Sequence, residues 1–153
     1  MLGKAQRANK KQRVKAIHAK IKHRRKDRIH KFTTALVNSH AAIIVGDVSS
    51  EKLARTRMAK SVLDAGWGML KTQLAYKAIA QSVVFEVVNE SNSTQTCSCC
   101  GVIPDSSPKG RAGLGIREWV CSECGAEHSR DVNAARNILA AGHCRLAGGI
   151  PLL

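Results

Sequence analysis

The sequence predicts an α/β fold in which two buried strands flank a crossover helix, with a cysteine-rich insert after the second strand and a long basic helix in front of the first. Three observations predict it. The order of apolar segments is strand, helix, strand, helix. Two CxxC pairs interrupt that order after residue 94. Residues 1 to 31 hold 13 of the 25 Lys and Arg residues but one acid, Asp27.

The basic segment comes first. From Gly3 to Val37 there is no proline, and glycine occurs only at the start. Val14, Ile17, Ile21, Ile29, Phe32 and Leu36 recur at steps that fit one helical face, while Lys and Arg fill the others. The 153 residues carry a net charge of +14, and beyond residue 31 the chain is close to neutral. So basic and so clustered a charge points to a polyanionic partner, DNA or RNA by default. No apolar run approaches the roughly 20 residues of a membrane span. The basic N-terminus is followed by no apolar stretch of the kind a secretory signal has. A cytoplasmic protein with reduced cysteines is the expectation.

"AAIIVGDVSS", Ala41 to Ser50, is a short apolar run that ends at Gly46-Asp47, as a buried strand does. Ser61 to Gln81 reads as a helix. Ser61 and Asp64 resemble a capping box, Leu63, Trp67, Leu70 and Leu74 form its stripe, and Gly66 and Gly68 weaken it. Ser82 to Val88 is a second strand. Strand, helix, strand implies a crossover and a parallel pair. Asp131 to Gly142 is a last helix, with Asp131 in its first turn, Ala134, Ala135, Ile138 and Leu139 on one side, and Gly142 as its stop.

Cys97-x2-Cys100 and Cys121-x2-Cys124 are separated by twenty residues. A CxxC knuckle aims two sulfurs at one point, and two knuckles supply the four thiolates of a tetrahedral Zn²⁺ site. Gly101 and Gly125 follow the pairs, where the backbone must take positive φ. A closed four-thiolate set leaves no open position, so the zinc is structural. Cys99 and Cys144 are bystander thiols, and His128 is superfluous as a ligand. The intervening loop, with Lys109, Arg111 and Arg117 among glycines, reads as a mobile basic finger suited to phosphates.

Three acids stand at element ends. Asp47 ends the first strand, Glu90 follows the second, and Asp131 opens the last helix. Singly each is an ordinary turn or cap residue. Together, in this order, they suggest the converging carboxylates that hold Mg²⁺ for phosphodiester cleavage.

The stretch "STQTCSCCG…REWVCSECGAEHSRDVNAARNILAAG" resembles the C-terminal signature of the TnpB (OrfB-type) transposon-associated proteins, relatives of the type V CRISPR effector nucleases. The match runs from about Thr94 to Asn137, with Ser129 in place of the first Asp of the final motif. The basic helix, "AIIVGDVSS" and "MAKSVLDAGWGMLKTQLAYKA" follow the family order. The resemblance implies a partial RNase H/RuvC-like fold with a zinc ribbon inserted before the last catalytic acid. It further implies an RNA-guided, Mg²⁺-dependent DNA endonuclease.

On this resemblance the third family acid is Asp131. The position of the second, a Glu, is Gly46 here. Asp47 matches the residue after it, and Glu90 is the preferred substitute. The first acid belongs to a Gly-x-Asp-x-Gly motif that the 153 residues do not contain. The expected division is residues 1–40 as basic helix, 41–94 with 127–145 as nuclease portion, and 95–126 as zinc ribbon. The expected function is nucleic-acid binding with little or no cleavage by this chain alone. A stand-alone zinc-ribbon regulator and a nuclease completed by a separately encoded N-terminal half are the alternatives.

Overall fold

A computed structural model describes residues 2–48, 66–110 and 112–148. The proposed Ser61–Asp64 capping box, Leu63 and Arg111 lie outside the described residues. The elements are α1 (Leu2–Arg7), α2 (Lys11–Ser39), β1 (Ala42–Gly46), α3 (Trp67–Ala80), β2 (Val84–Val88), a 3₁₀ turn (Ala112–Gly115), β3 (Glu118–Val120), β4 (Glu127–Ser129) and α4 (Arg130–Gly148). Strand β1 pairs with β2, and β3 with β4. The chain divides into two compact units, Met1–Ile43 with Ser49–Phe85, and Ile44–Val48 with Glu86–Leu153.

In the first unit the expected single helix is two. Asn9 takes φ +50° and separates α1 from α2. A non-glycine residue in the left-handed region cannot continue a right-handed helix, and Asn tolerates it best. The buried face of α2 also differs from the apolar stripe. Ile29, Thr33 and Val37 are buried, whereas Ile21 and Phe32 are exposed. Thr33 takes the middle of this row because its hydroxyl finds partners on Ile29 O at 2.9 Å and Gln73 Oε1 at 3.0 Å. Gln73 belongs to α3, which buries Leu74 and Ala78 beside it. Trp67, expected in the α3 stripe, is exposed.

Gly66 precedes α3 rather than weakening it. Its φ of +72° is left-handed, and a Cβ there would stand 2.8 Å from Ile29 Cδ1. Lys77 is buried on the same face, its Nζ donating to His30 O at 2.7 Å, Thr33 Oγ1 at 2.7 Å and Thr34 Oγ1 at 2.8 Å.

Along the β1–β2 pair, Val84 N–H bonds Ala41 O at 3.0 Å and Asp47 N–H bonds Val88 O at 2.9 Å. The bonded positions advance in the same direction on both strands, so the pair is parallel, as a helical crossover requires.

In the second unit, β3 and β4 run antiparallel with Trp119 opposite His128. Sequence reading gave this region no strands; three-residue strands are too short for an alternation to register. Helix α4 does not stop at Gly142. Ile44 lies against that glycine, and a Cβ would meet Ile44 Cγ2 at 2.7 Å. The glycine serves close approach, not termination.

Candidate metal centre and carboxylates

Two identical knuckles build the cysteine site. Cys97 N–H bonds Val102 O at 2.8 Å and Gly101 N–H bonds Cys97 O at 2.9 Å. Cys121 N–H bonds Ala126 O and Gly125 N–H bonds Cys121 O, both at 2.9 Å. Gly101 and Gly125 close the turns at φ +77° and +71°, the left-handed backbone their positions demand.

The ligand atoms of Cys97, Cys100, Cys121 and Cys124 all lie within 4.8 Å of one another. Cys97 Sγ is 3.6 Å from Cys124 Sγ, and Cys100 Sγ is 3.8 Å from Cys121 Sγ. Four sulfurs at ~2.3 Å from a tetrahedral zinc stand ~3.8 Å apart. The donors and their spacing therefore fit a metal such as zinc, and the distances exclude disulfides. Cys99 and Cys144 are exposed free thiols outside the group.

Desolvation works to raise the Cys97 pKa, but the N–H groups of Cys100 and Cys99 and a hydrogen bond with His128 bring it down to about 6. At Cys124 the Ala126 N–H pulls down, yet desolvation and the thiols of Cys97, Cys121 and Cys100 push its pKa up to about 12. Four thiols this close cannot all ionise in mutual contact without a cation among them.

The cysteine module is tied to α4 by two asparagines. Asn133, 1% exposed, accepts from Ser98 N–H at 2.9 Å and donates Nδ2–H to Thr96 O at 2.7 Å and Ser93 O at 3.2 Å. Asn137 Nδ2 reaches the same two carbonyls at 2.7 and 2.8 Å. Asn133 is buried and Asn137 half-buried; Ala134 and Ile138 of the expected apolar side are half-buried too, whereas Leu139 is exposed. Sequence reading missed both asparagines; their i, i+4 spacing just after the acid was the available signal.

The expected mobile finger is held at several points. Arg130 Nη1 donates to Gly113 O and Leu114 O, Arg130 N–H bonds Arg117 O, and Ser122 N–H bonds Ser106 Oγ. Lys109 pairs with Asp105 at 3.1 Å.

Asp47 and Glu90 come together at the ends of β1 and β2. Glu90 N–H bonds Asp47 Oδ1 at 3.3 Å. A side chain on Gly46 would collide with Glu90, its Cβ falling 2.8 Å from the carboxyl carbon. Asp131 is exposed and pairs with Arg117 Nη1 at 3.2 Å. Carboxylate oxygens suit a hard cation such as Mg²⁺. Among the described residues, however, the cysteines are the only group of three or more metal-capable side chains that converges.

Residues 67–138 match the family described as the Cas12f1-like TNB domain. The chain is a relative of the TnpB proteins. It is 37% identical, over 96% of its length, to a protein assigned as an RNA-guided DNA endonuclease in Streptomyces pristinaespiralis. It is 32% identical, over 91% of its length, to the Escherichia coli protein InsQ, assigned likewise. The chain spans 36% and 37% of those relatives. A cryo-EM structure of a Cas12f1–sgRNA–target DNA complex shares its fold with a TM-score of 0.65 over 90% of this chain and 39% of that one, at 17% identity. The TNB match runs from the first residue of α3 into α4, so it contains both knuckles, Glu90 and Asp131. None of the described helices is long and apolar enough to cross a membrane.

Proposed function

We propose that this chain is the nucleic-acid-binding, RuvC-like portion of a TnpB-type RNA-guided DNA endonuclease, with a structural Zn²⁺ held by Cys97, Cys100, Cys121 and Cys124. The observation that carries the reading is the convergence of four thiols inside the matched TNB domain, directly ahead of the helix that has Asp131 in its first turn. The Cas12f1 relative is in complex with guide RNA and target DNA, which supports DNA or guide RNA as the partner here. Lys11, Arg13, Lys15, Lys20, Lys22 and Arg24 leave α2 with no acid until Asp27. The basic residues of this stretch, spread around the helix, meet a phosphate backbone by charge, without reading bases.

Asp131, Glu90 and Asp47 are the carboxylates that would hold Mg²⁺; Asp47 and Glu90 already meet, while Asp131 pairs with Arg117. A bound Mg²⁺ would supply water activation and leaving-group stabilisation for phosphodiester hydrolysis. Arg117 must release Asp131 before that carboxylate can ligate. No Gly-x-Asp-x-Gly acid occurs among the 153 residues, so they bind nucleic acid but cleave it poorly unless that acid is supplied in cis or in trans.

Two measurements test this. Fluorescence anisotropy on an RNA–DNA heteroduplex should show affinity falling steeply with salt, and further on Lys22→Glu with Arg24→Glu. A salt-independent affinity overturns the phosphate reading. Mg²⁺-dependent cleavage, once the chain is completed by the upstream acid, should vanish in Asp131→Ala; cleavage that survives removes Asp131 from the site.

A further inference from the structure

His128 is the buried imidazole of the cysteine module, and four thiolates leave it no coordination position to fill. It lies opposite Trp119 across β3–β4, 5% exposed, with ring centroids 4.7 Å apart. Its Nε2 stands 3.0 Å from Cys97 Sγ. Its Nδ1 is buried without a hydrogen-bond partner among the described residues.

The geometry sets which ring nitrogen meets the sulfur. A metal-bound thiolate only accepts, so the atom facing it, Nε2, carries the proton. The ring presents Nε2 to the sulfur and rests against Trp119, its plane tilted by 41° to the indole. Thiolates accept such bonds outside the coordination sphere, and these partners orient the ligand and moderate its charge.

We propose that His128 is a positioning residue for the metal centre. Its Nε2–H donates to the Cys97 thiolate, holding the sulfur's orientation and drawing off part of the charge that four thiolates place on one divalent ion. The inference rests on the zinc reading above and extends it to a residue that reading leaves idle.

The experiment uses the full chain with zinc, and measures affinity by chelator competition for wild type, His128→Gln, His128→Phe and His128→Leu. Gln keeps an N–H near the position of Nε2; Phe keeps the stacking on Trp119 but has no donor. The expected result is a roughly 10- to 100-fold weaker affinity for Phe and Leu, with Gln within a few-fold of wild type. Full affinity in Phe, or an equal loss in Gln and Phe, overturns the proposal in favour of packing alone. If Phe fails to fold, the contrast between Gln and Leu decides. Co²⁺ substitution gives the second readout. Bands of a four-thiolate site in wild type support a hydrogen-bond role, whereas three thiolates and an imidazole would make His128 a ligand and overturn it. Failure of the wild type to take up any zinc defeats the zinc reading itself. Tight uptake with no dependence on His128 defeats this inference only.

Discussion

The side chain of Glu90 fills the space that any side chain on Gly46 would need. A Cβ at residue 46 would fall 2.9 Å from Glu90 Cβ and 2.8 Å from its carboxyl carbon. The clash reaches the root of the side chain as well as its mobile end, so a rotamer change at Glu90 does not relieve it. Glycine at the end of β1 and glutamate just after β2 are one arrangement seen from two strands.

Gly46→Ala should therefore cost about 1–3 kcal/mol, the range for overpacking. Combining it with Glu90→Gly should restore part of the loss. The check is a double-mutant cycle of urea midpoints, with a coupling of at least about 0.5 kcal/mol expected for groups in contact. Strict additivity would mean that the two positions do not share this space.

Asn133 and Asn137 make the same kind of bond to the same carbonyls but differ in what their loss leaves behind. With Asn133→Ala, Asn137 still serves Thr96 O and Ser93 O, yet the Ser98 N–H loses its acceptor. With Asn137→Ala, Asn133 still serves both carbonyls. An orphaned donor costs about 1–3 kcal/mol, a redundant bond at most about 1. Thermal unfolding of the zinc-loaded chain should rank Asn133→Ala as clearly the more damaging; the reverse order contradicts the network.

What was legible in the sequence follows from how local each signal is. CxxC spacing with a following glycine encodes a knuckle by itself, so the four converging cysteines and both positive-φ glycines stand where spacing put them. The apolar runs for β1 and β2 were likewise local, although the strands are half-buried rather than buried: every residue of β1 is partly exposed, and Val84 and Val87 of β2 are exposed. The buried faces of the helices were not. Thr33 and Asn133 lie inside because distant partners satisfy them, Gln73 on α3 and the Ser93–Ser98 turn. No periodicity of apolar residues records a polar group that has found its partner. Gly142 misled for a related reason. A glycine is ambiguous between helix stop and close approach until Ile44 is known to lie against it.

That glycine yields a prediction of sign. In an open helix interior Gly→Ala gains about 1 kcal/mol. At residue 142 the new Cβ would meet Ile44 Cγ1 at 2.8 Å and Cγ2 at 2.7 Å, branch atoms held close to the strand backbone. Overpacking at about 1–3 kcal/mol exceeds the propensity gain, so Gly142→Ala should lower the melting temperature. Adding Ile44→Ala should recover the clash component, and a stabilised single variant would show that Ile44 moves freely aside.

Lys77 gives the pH prediction. Burial between α3 and α2 lowers its pKa from the ordinary 10.5, against three oxygen acceptors that favour the charged form. The folded chain thus holds this proton less tightly than the unfolded chain does. Between the lowered value and 10.5 the unfolded state binds more protons, so the contribution of Lys77 to stability rises with pH across that window. Below the lowered value both states are protonated and the desolvation penalty is felt in full. Replacing Lys77 with Met removes the titration and the donor that His30 O, Thr33 Oγ1 and Thr34 Oγ1 share; His30 O still accepts from both threonine hydroxyls, so the lost hydrogen bonds cost about 1 kcal/mol near neutrality. Urea unfolding of both proteins from pH 7 to 10.5 should show wild type gaining on Lys77→Met as pH rises. A constant difference would mean that burial does not penalise the ammonium, and a shrinking one that its three acceptors outweigh that burial.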